Sequence, residues 1–214
     1  HVYGTTEATP ITTLLPHEER ILDTSLVRSC GQPAVGVEIR IVDSSEADVP
    51  PGTVGELLVR SPSLMAGYWQ KPEATSEIMS GDWYRTGDLG YRDERSYIYL
   101  VDRAKDMIVS GGENVYSTEV EEALSSHPAV EEVAVFGVPD PRWGEAVYAV
   151  VFSWRQVTPD ELIAHCRGRI AGFKMPRHIE VRTGSLPKSA AGKILKRDLR
   201  EPYWAGQRTH VSGG

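Results

Sequence analysis

The stretch "SLPKSAAGKILKR", Ser185 to Arg197, sets Lys193 between a pliable Ala-Ala-Gly run and a helical pattern. Gly192-Lys193 has the look of a phosphate-binding loop, yet the loop's first glycine is missing and Ile194 stands where a magnesium-binding Ser or Thr is needed. The pattern alone leaves the role of Lys193 open, and a solvated lysine at a helix start is the plain reading. At the other end of the chain, "YGTTE" places two hydroxyls beside a carboxylate. Thr5 and Thr6 can bond phosphate oxygens, Glu7 can ligate Mg²⁺ through oxygen, and Tyr3 offers a flat face to a base. A plain polar loop is the alternative.

"DWYRTGDLG" adds a third group. Gly87 permits a tight turn that presents Asp88, whose carboxylate can accept bonds from two vicinal hydroxyls, as an acidic residue does for ribose in dinucleotide folds. An Asx-type turn between strands would use the same residues for nothing more. Arg103 can bring forked donors to the same sugar or phosphate, or form a surface ion pair worth little. Lys105 follows in "VDRAKDMIVSGGENVYS", a polar segment ending in glycines that suits a hinge or a simple turn. Gly111 and Gly112 carry no Cβ, so a ligand can pass close to the backbone there.

These groups sit on elements that the patterning outlines. "GVEIRIVD", "GELLVRSP" and "YIYLVD" read as strands, and Pro72 opens a short helix. This part, 36–104, is expected to be a β-barrel-like subdomain. Beyond it, strands alternate with helices: Thr118 with Glu121 predicts a capping box, "AVEEVAVFGV" and "EAVYAVVFSW" predict strands, and Thr158, Pro159 and Glu161 predict a second boxed helix to about Arg169. A strand near His178–Arg182 and a helix from about Lys193 to Arg200 complete an α+β unit over 105–200, with 201–214 as a flexible tail. The fold class is α+β.

The net charge of −7 opposes nucleic-acid binding, which needs a basic face for phosphates. Cys30 and Cys166 make no disulfide framework, which favours a reducing cytoplasm. No run approaches the ~20 apolar residues of a transmembrane span. His1 is not an initiator methionine, so the chain is expected to be part of something longer.

Taken in order, "YGTTE", "GELLVRSPSLMAGYW", "WYRTGDLG", "DRAKDMIVSGGENVYSTEVE", "GVPDPRWGEAVYAVV" and "LPKSAAGKILKR" resemble the successive core motifs of the adenylate-forming superfamily. Acyl-CoA synthetases are the nearest resemblance, and it runs to about Arg200. It implies that a carboxylic acid, most simply a fatty acid, reacts with MgATP to give acyl-AMP and then with CoA to give acyl-CoA. By matching motifs, Tyr3, Gly4, Thr5, Thr6, Asp88 and Arg103 would bind the nucleotide, with Tyr3 on adenine and Asp88 on ribose. Glu7 would bind Mg²⁺, Lys193 would serve adenylation, and Lys105 would be the hinge of a mobile C-terminal domain.

Gly111, Gly112, Trp143, Phe173 and Arg177 would line the CoA site, although Trp143 equally suits ordinary packing. Two positions depart from the family pattern: Met175 replaces a frequent basic residue, and Arg95-Ser96 replaces a glycine turn. The family's phosphate loop and acyl pocket precede "YGTTE", so 1–35 would be the tail of a larger N-terminal region and the chain alone is expected to be inactive. Alternatives are a carrier-loading adenylation domain, a luciferase-like oxidative enzyme or a non-catalytic binding module.

Overall fold

A computed structural model describes residues 1–205. The threonine-rich opening is a hairpin rather than a loop: β1 (Val2–Thr5) pairs with β2 (Thr9–Leu14), turning through residues 6–8. After α1 (His17–Leu22) and a 3-10 turn, β3 (Gln32–Pro33) pairs with the end of β2. β4 (Glu38–Val42) and β5 (Gly55–Arg60) follow, then α2 (Pro72–Ile78), β6 (Met79–Ser80), β7 (Trp83–Arg92) and β8 (Ile98–Arg103). β4, β5 and β7 run side by side, and the far edge of β7 takes β6 at its start and β8 at its end. This curled antiparallel sheet is the barrel-like part.

Gly87 makes no turn. β7 continues through it at φ +70°, and the ladder to β5 skips between Leu58↔Arg85 and Glu56↔Leu89. That is a β-bulge, which glycine in the left-handed region allows and which bends the strand to re-aim the residue beside it. Thr86 pins it, donating its hydroxyl to the Leu57 carbonyl at 2.8 Å and accepting from the Asp88 N–H at 3.0 Å. At the Arg95-Ser96 turn, Ser96 takes the left-handed φ of +65° that glycine favours, while the Asp93 carboxylate accepts the Arg95 and Tyr97 N–H groups.

Contacts divide the chain into His1–Ala104 and a second unit starting at Lys105. The first has no internal break at 35/36: Ala8 and Cys30 share a core with Ile39, Ile41, Leu57, Val59 and Ile98.

The second unit opens with β9 (Ile108–Ser110) and β10 (Glu113–Val115), joined by Gly111-Gly112 at φ +63° and +85°. Two positive φ values are what a two-residue hairpin needs to match strand twist. α3 (Ser117–Ser125) leads to β11 (Val130–Asp140) and β12 (Gly144–Ser153), a long hairpin. α4 (Pro159–Cys166) then crosses over to β13 (His178–Arg182), which lies parallel to β12. One face of the sheet meets α3 and α4 through Val120, Leu124, Val135, Val147 and Leu162; the other meets Leu186 and α5 (Lys196–Trp204) through Phe136, Val150 and Leu199.

The box at Thr158 and Glu161 forms with both bonds, a cap worth about 1 kcal/mol. The box expected at Thr118 does not, because α3 already begins at Ser117 with Tyr116 as its N-cap, which puts Thr118 inside the first turn; Glu121 accepts the Val135 N–H at 2.8 Å and pairs with Lys196 at 2.7 Å. α4 stops three residues short of Arg169, and α5 starts three residues after Lys193. α5 also continues past Arg200, so residues 201–204 are helix rather than tail, and Trp204 Nε1 donates to the Gly137 carbonyl at 3.0 Å. The rest of the expected tail, 206–214, lies outside the described residues.

Candidate functional site

In the first unit the bulge and the opening hairpin meet. The Tyr3 hydroxyl donates to Asp88 Oδ2 at 2.6 Å, linking motifs 85 residues apart. Burial, then the hydrogen bond and charge of Asp88, push the Tyr3 phenol far up, so it stays a donor at any ordinary pH. Arg103 stands opposite Asp88 across β7 and β8, with Nε 3.6 Å from Oδ1. Asp88 is 16% exposed and Arg103 55%, so the pair itself adds little stability and the guanidinium is open to a ligand. Each carboxylate oxygen has two acceptor sites, so Asp88 can still accept from a vicinal diol.

Gly4 and Thr6 are exposed in the same hairpin, and Thr5 Oγ1 caps its turn by accepting the Ala8 N–H at 3.2 Å. Glu7 holds the turn to the loop at the end of "GELLVRSPSLMAGYW": Met65 N–H donates to the Glu7 carbonyl at 2.8 Å, and the Tyr68 hydroxyl donates to Glu7 Oε1 at 2.7 Å. Among the described residues no group of three His, Cys, Asp or Glu converges, so there is no all-protein metal cage. A single carboxylate of this kind suits Mg²⁺, which keeps waters and takes its other oxygens from substrate phosphates.

The bond to Glu7 is the largest cause that pushes the Tyr68 phenol up to about 12. Because the neutral phenol is the bonded form, this stabilisation is present below the ordinary value of 10 and lost as pH rises through about 12. Glu7→Gln is expected to return the phenol toward its ordinary value. Ring-labelled tyrosine NMR, assigned with Tyr68→Phe, reads it, and an unmoved titration would contradict the contact.

In the second unit Gly111, Trp143 and Arg177 come together. Gly111 N–H donates to the Trp143 carbonyl at 2.8 Å, and a Cβ at Gly111 would sit 2.8 Å from Trp143 Cε3. Arg177 lies 5.2 Å and Arg142 4.6 Å from the indole centroid. Trp143 is thus packing and platform at once, an aromatic face edged by two cations. Gly112 completes the turn with open space beside it. Phe173 is 45% exposed, and its ring contact is with Lys174, whose ammonium pairs with Glu119 at 2.6 Å. Met175 packs against the core under α3 and α4, which is why an apolar residue suits this position.

Lys105 is exposed in a 3-10 turn at the division between units, and its carbonyl accepts from Arg200 Nη1 at 2.9 Å. Lys193 is exposed, and its ammonium has no partner among the described residues. Its backbone is not loose. Lys188 bridges Ile194, Ser189 N–H donates to the Lys193 carbonyl at 2.8 Å, and Gly192 closes the turn at φ +79°. Ile194 packs toward the core beside Phe136.

Residues 1–69 match the AMP-binding enzyme family, and residues 119–193 match the AMP-binding enzyme C-terminal domain. A feruloyl-CoA synthase of an Amycolatopsis species is 44% identical over 203 residues, 94% of this chain and 40% of that protein. A long-chain-fatty-acid–CoA ligase of Escherichia coli O6:H1 is 42% identical over 200 residues, 93% of this chain and 35% of the ligase. Among solved structures, o-succinylbenzoate CoA synthetase (MenE) from Bacillus subtilis, in complex with its acyl-adenylate intermediate, aligns with a TM-score of 0.84 at 35% identity. That alignment covers 92% of this chain and 40% of MenE. The chain therefore spans about 40% or less of the length of these curated relatives. With both family regions in order and the α+β architecture shared, this chain belongs to the adenylate-forming family of AMP-binding enzymes.

Proposed function

We propose that these residues are the C-terminal portion of an AMP-forming acid–thiol ligase, working in the cytoplasm on an apolar carboxylic acid, most simply a fatty acid. A carboxylate oxygen attacks the α-phosphorus of ATP, pyrophosphate leaves, and acyl-AMP forms. The thiol of CoA then attacks the acyl carbon and AMP leaves. Tyr3 and Asp88 bind the nucleoside, with Arg103 on sugar or phosphate and Gly4, Thr5 and Thr6 along the phosphates. Bound at Glu7, Mg²⁺ would neutralise phosphate charge.

Lys193 serves the first step only. Attack brings two anions together, and a preorganised ammonium there is worth roughly 3–4 kcal/mol. Lys105 is the hinge on which the second unit moves between steps, and Gly111, Gly112, Trp143, Phe173 and Arg177 receive CoA. The observation that carries this reading is the cluster in which the Tyr3 hydroxyl, Asp88 and Arg103 meet, a diol acceptor between an aromatic ring and a cation.

The test is pyrophosphate release by a full-length protein carrying this segment, with fatty and aromatic acids, and CoA thioester as the second readout. Acid-dependent release followed by thioester is the expected result. No release with either class, or equal turnover by residues 1–214 alone, would contradict it.

A further inference from the structure

Glu132 is one of two adjacent glutamates in β11, at the point where its pairing with β12 shifts register. Alternation puts its side chain on the face of Ala134 and Phe136, the face covered by Leu186 and α5. There its carboxylate, 12% exposed, gathers three donors from one loop. Ser185 Oγ donates at 2.8 Å, the Leu186 N–H at 2.7 Å and the Lys188 ammonium at 2.5 Å. Burial alone would raise this carboxyl, yet Lys188, the Leu186 N–H and Ser185 together hold it below its ordinary range.

The same loop becomes the hairpin of Lys193. Lys188 bridges Ile194, and Leu195 N–H donates to the Pro187 carbonyl at 2.8 Å. The carboxylate thus grips the incoming strand of a hairpin whose outgoing strand presents Lys193 to solvent.

We propose that Glu132 is a positioning residue for Lys193, fixing the root of its hairpin so that adenylation, and not thioester formation, depends on it. The proposal rests on the ligase reading above. Charge-paired, half-buried and multiply bonded, Glu132 holds the root of the hairpin that carries Lys193.

The experiment uses the full-length ligase and follows pyrophosphate release with acid and MgATP, then, separately, thioester formation from supplied acyl-AMP and CoA. A misplacement of about 1 Å costs on the order of 100-fold in rate, so Glu132→Ala is expected to slow pyrophosphate release ~10–100-fold. Lys188→Met, which leaves the core untouched, should slow the same step, and thioester formation should change by less than about twofold in both variants. The double variant should be no slower than the worse single one, because both cut the same link.

Equal loss in both half-reactions, unchanged pyrophosphate release in Lys188→Met, or losses that multiply would each overturn the proposal. Lys193→Ala separates it from the ligase reading. If that variant alone is selectively slow in adenylation, only the role of Glu132 fails; if it adenylates normally, the reading of Lys193 fails and the proposal with it.

Discussion

Lys193→Ala in the full-length ligase is expected to lower the rate of pyrophosphate release by about 10²–10³, the cost of deleting one preorganised charge-stabilising group. On the proposed role the loss should fall on kcat, because the ammonium would act where charge develops during phosphoryl transfer rather than where ATP first docks. The structure makes this variant clean. The side chain is exposed and without a described partner, the hairpin bonds are carried by the backbone and Ser189, and Ile194 supplies the packing. Stability should therefore stay within about 0.5 kcal/mol of the parent, as for other surface substitutions. Thermal unfolding alongside the kinetics checks that, and a large drop in melting temperature would mean that the lysine is structural.

The second large effect is expected at Asp88. Hydrogen bonds to a charged acceptor contribute about 1.5–3 kcal/mol each, so Asp88→Ala should weaken ATP binding by roughly 100-fold or more. The Tyr3 phenol also loses its acceptor, and a partly buried donor left unpaired costs about 1–3 kcal/mol of stability. Tyr3→Phe separates the two contributions, since it keeps the ring, removes the phenol and leaves Asp88 to the ribose. Calorimetry should find ATP affinity nearly intact in Tyr3→Phe and lost in Asp88→Ala. Equal losses in the two variants would show that Asp88 matters only as the partner of Tyr3.

The elements legible in the sequence were those whose signals are local. β4, β5, β8 and β13 announce themselves by β-branched runs between turn residues, and α4 by a complete capping box. The opening hairpin was not legible, because threonines suit a polar turn as well as a strand. Gly87 misled for a related reason: a positive φ serves a bulge inside a strand as readily as a turn between two. The box at Thr118 failed because the helix begins earlier, at Ser117 with Tyr116 as its N-cap, and Glu121 meets Val135 and Lys196, which only the folded sheet brings near.

The candidate site divides in the same way. Its residue types could be picked out, but each motif alone had a bland alternative, since the contacts that decide between them are long-range. Tyr3 meets Asp88 across 85 residues and Glu132 meets Lys188 across 56. Tyr68, Arg142 and Glu132 fall inside stretches the sequence singles out, but nothing local gives them a role, which comes from what they touch.

The most direct test of the account supplies acyl-AMP and CoA to the Lys193→Ala ligase and times thioester formation, bypassing the step in which the ammonium acts. A rate within about twofold of the parent is expected, because the proposed work of that group, at the α-phosphorus, is already complete in the supplied acyl-AMP. A fall matching the loss in pyrophosphate release would contradict a lysine that works in one half of the cycle only.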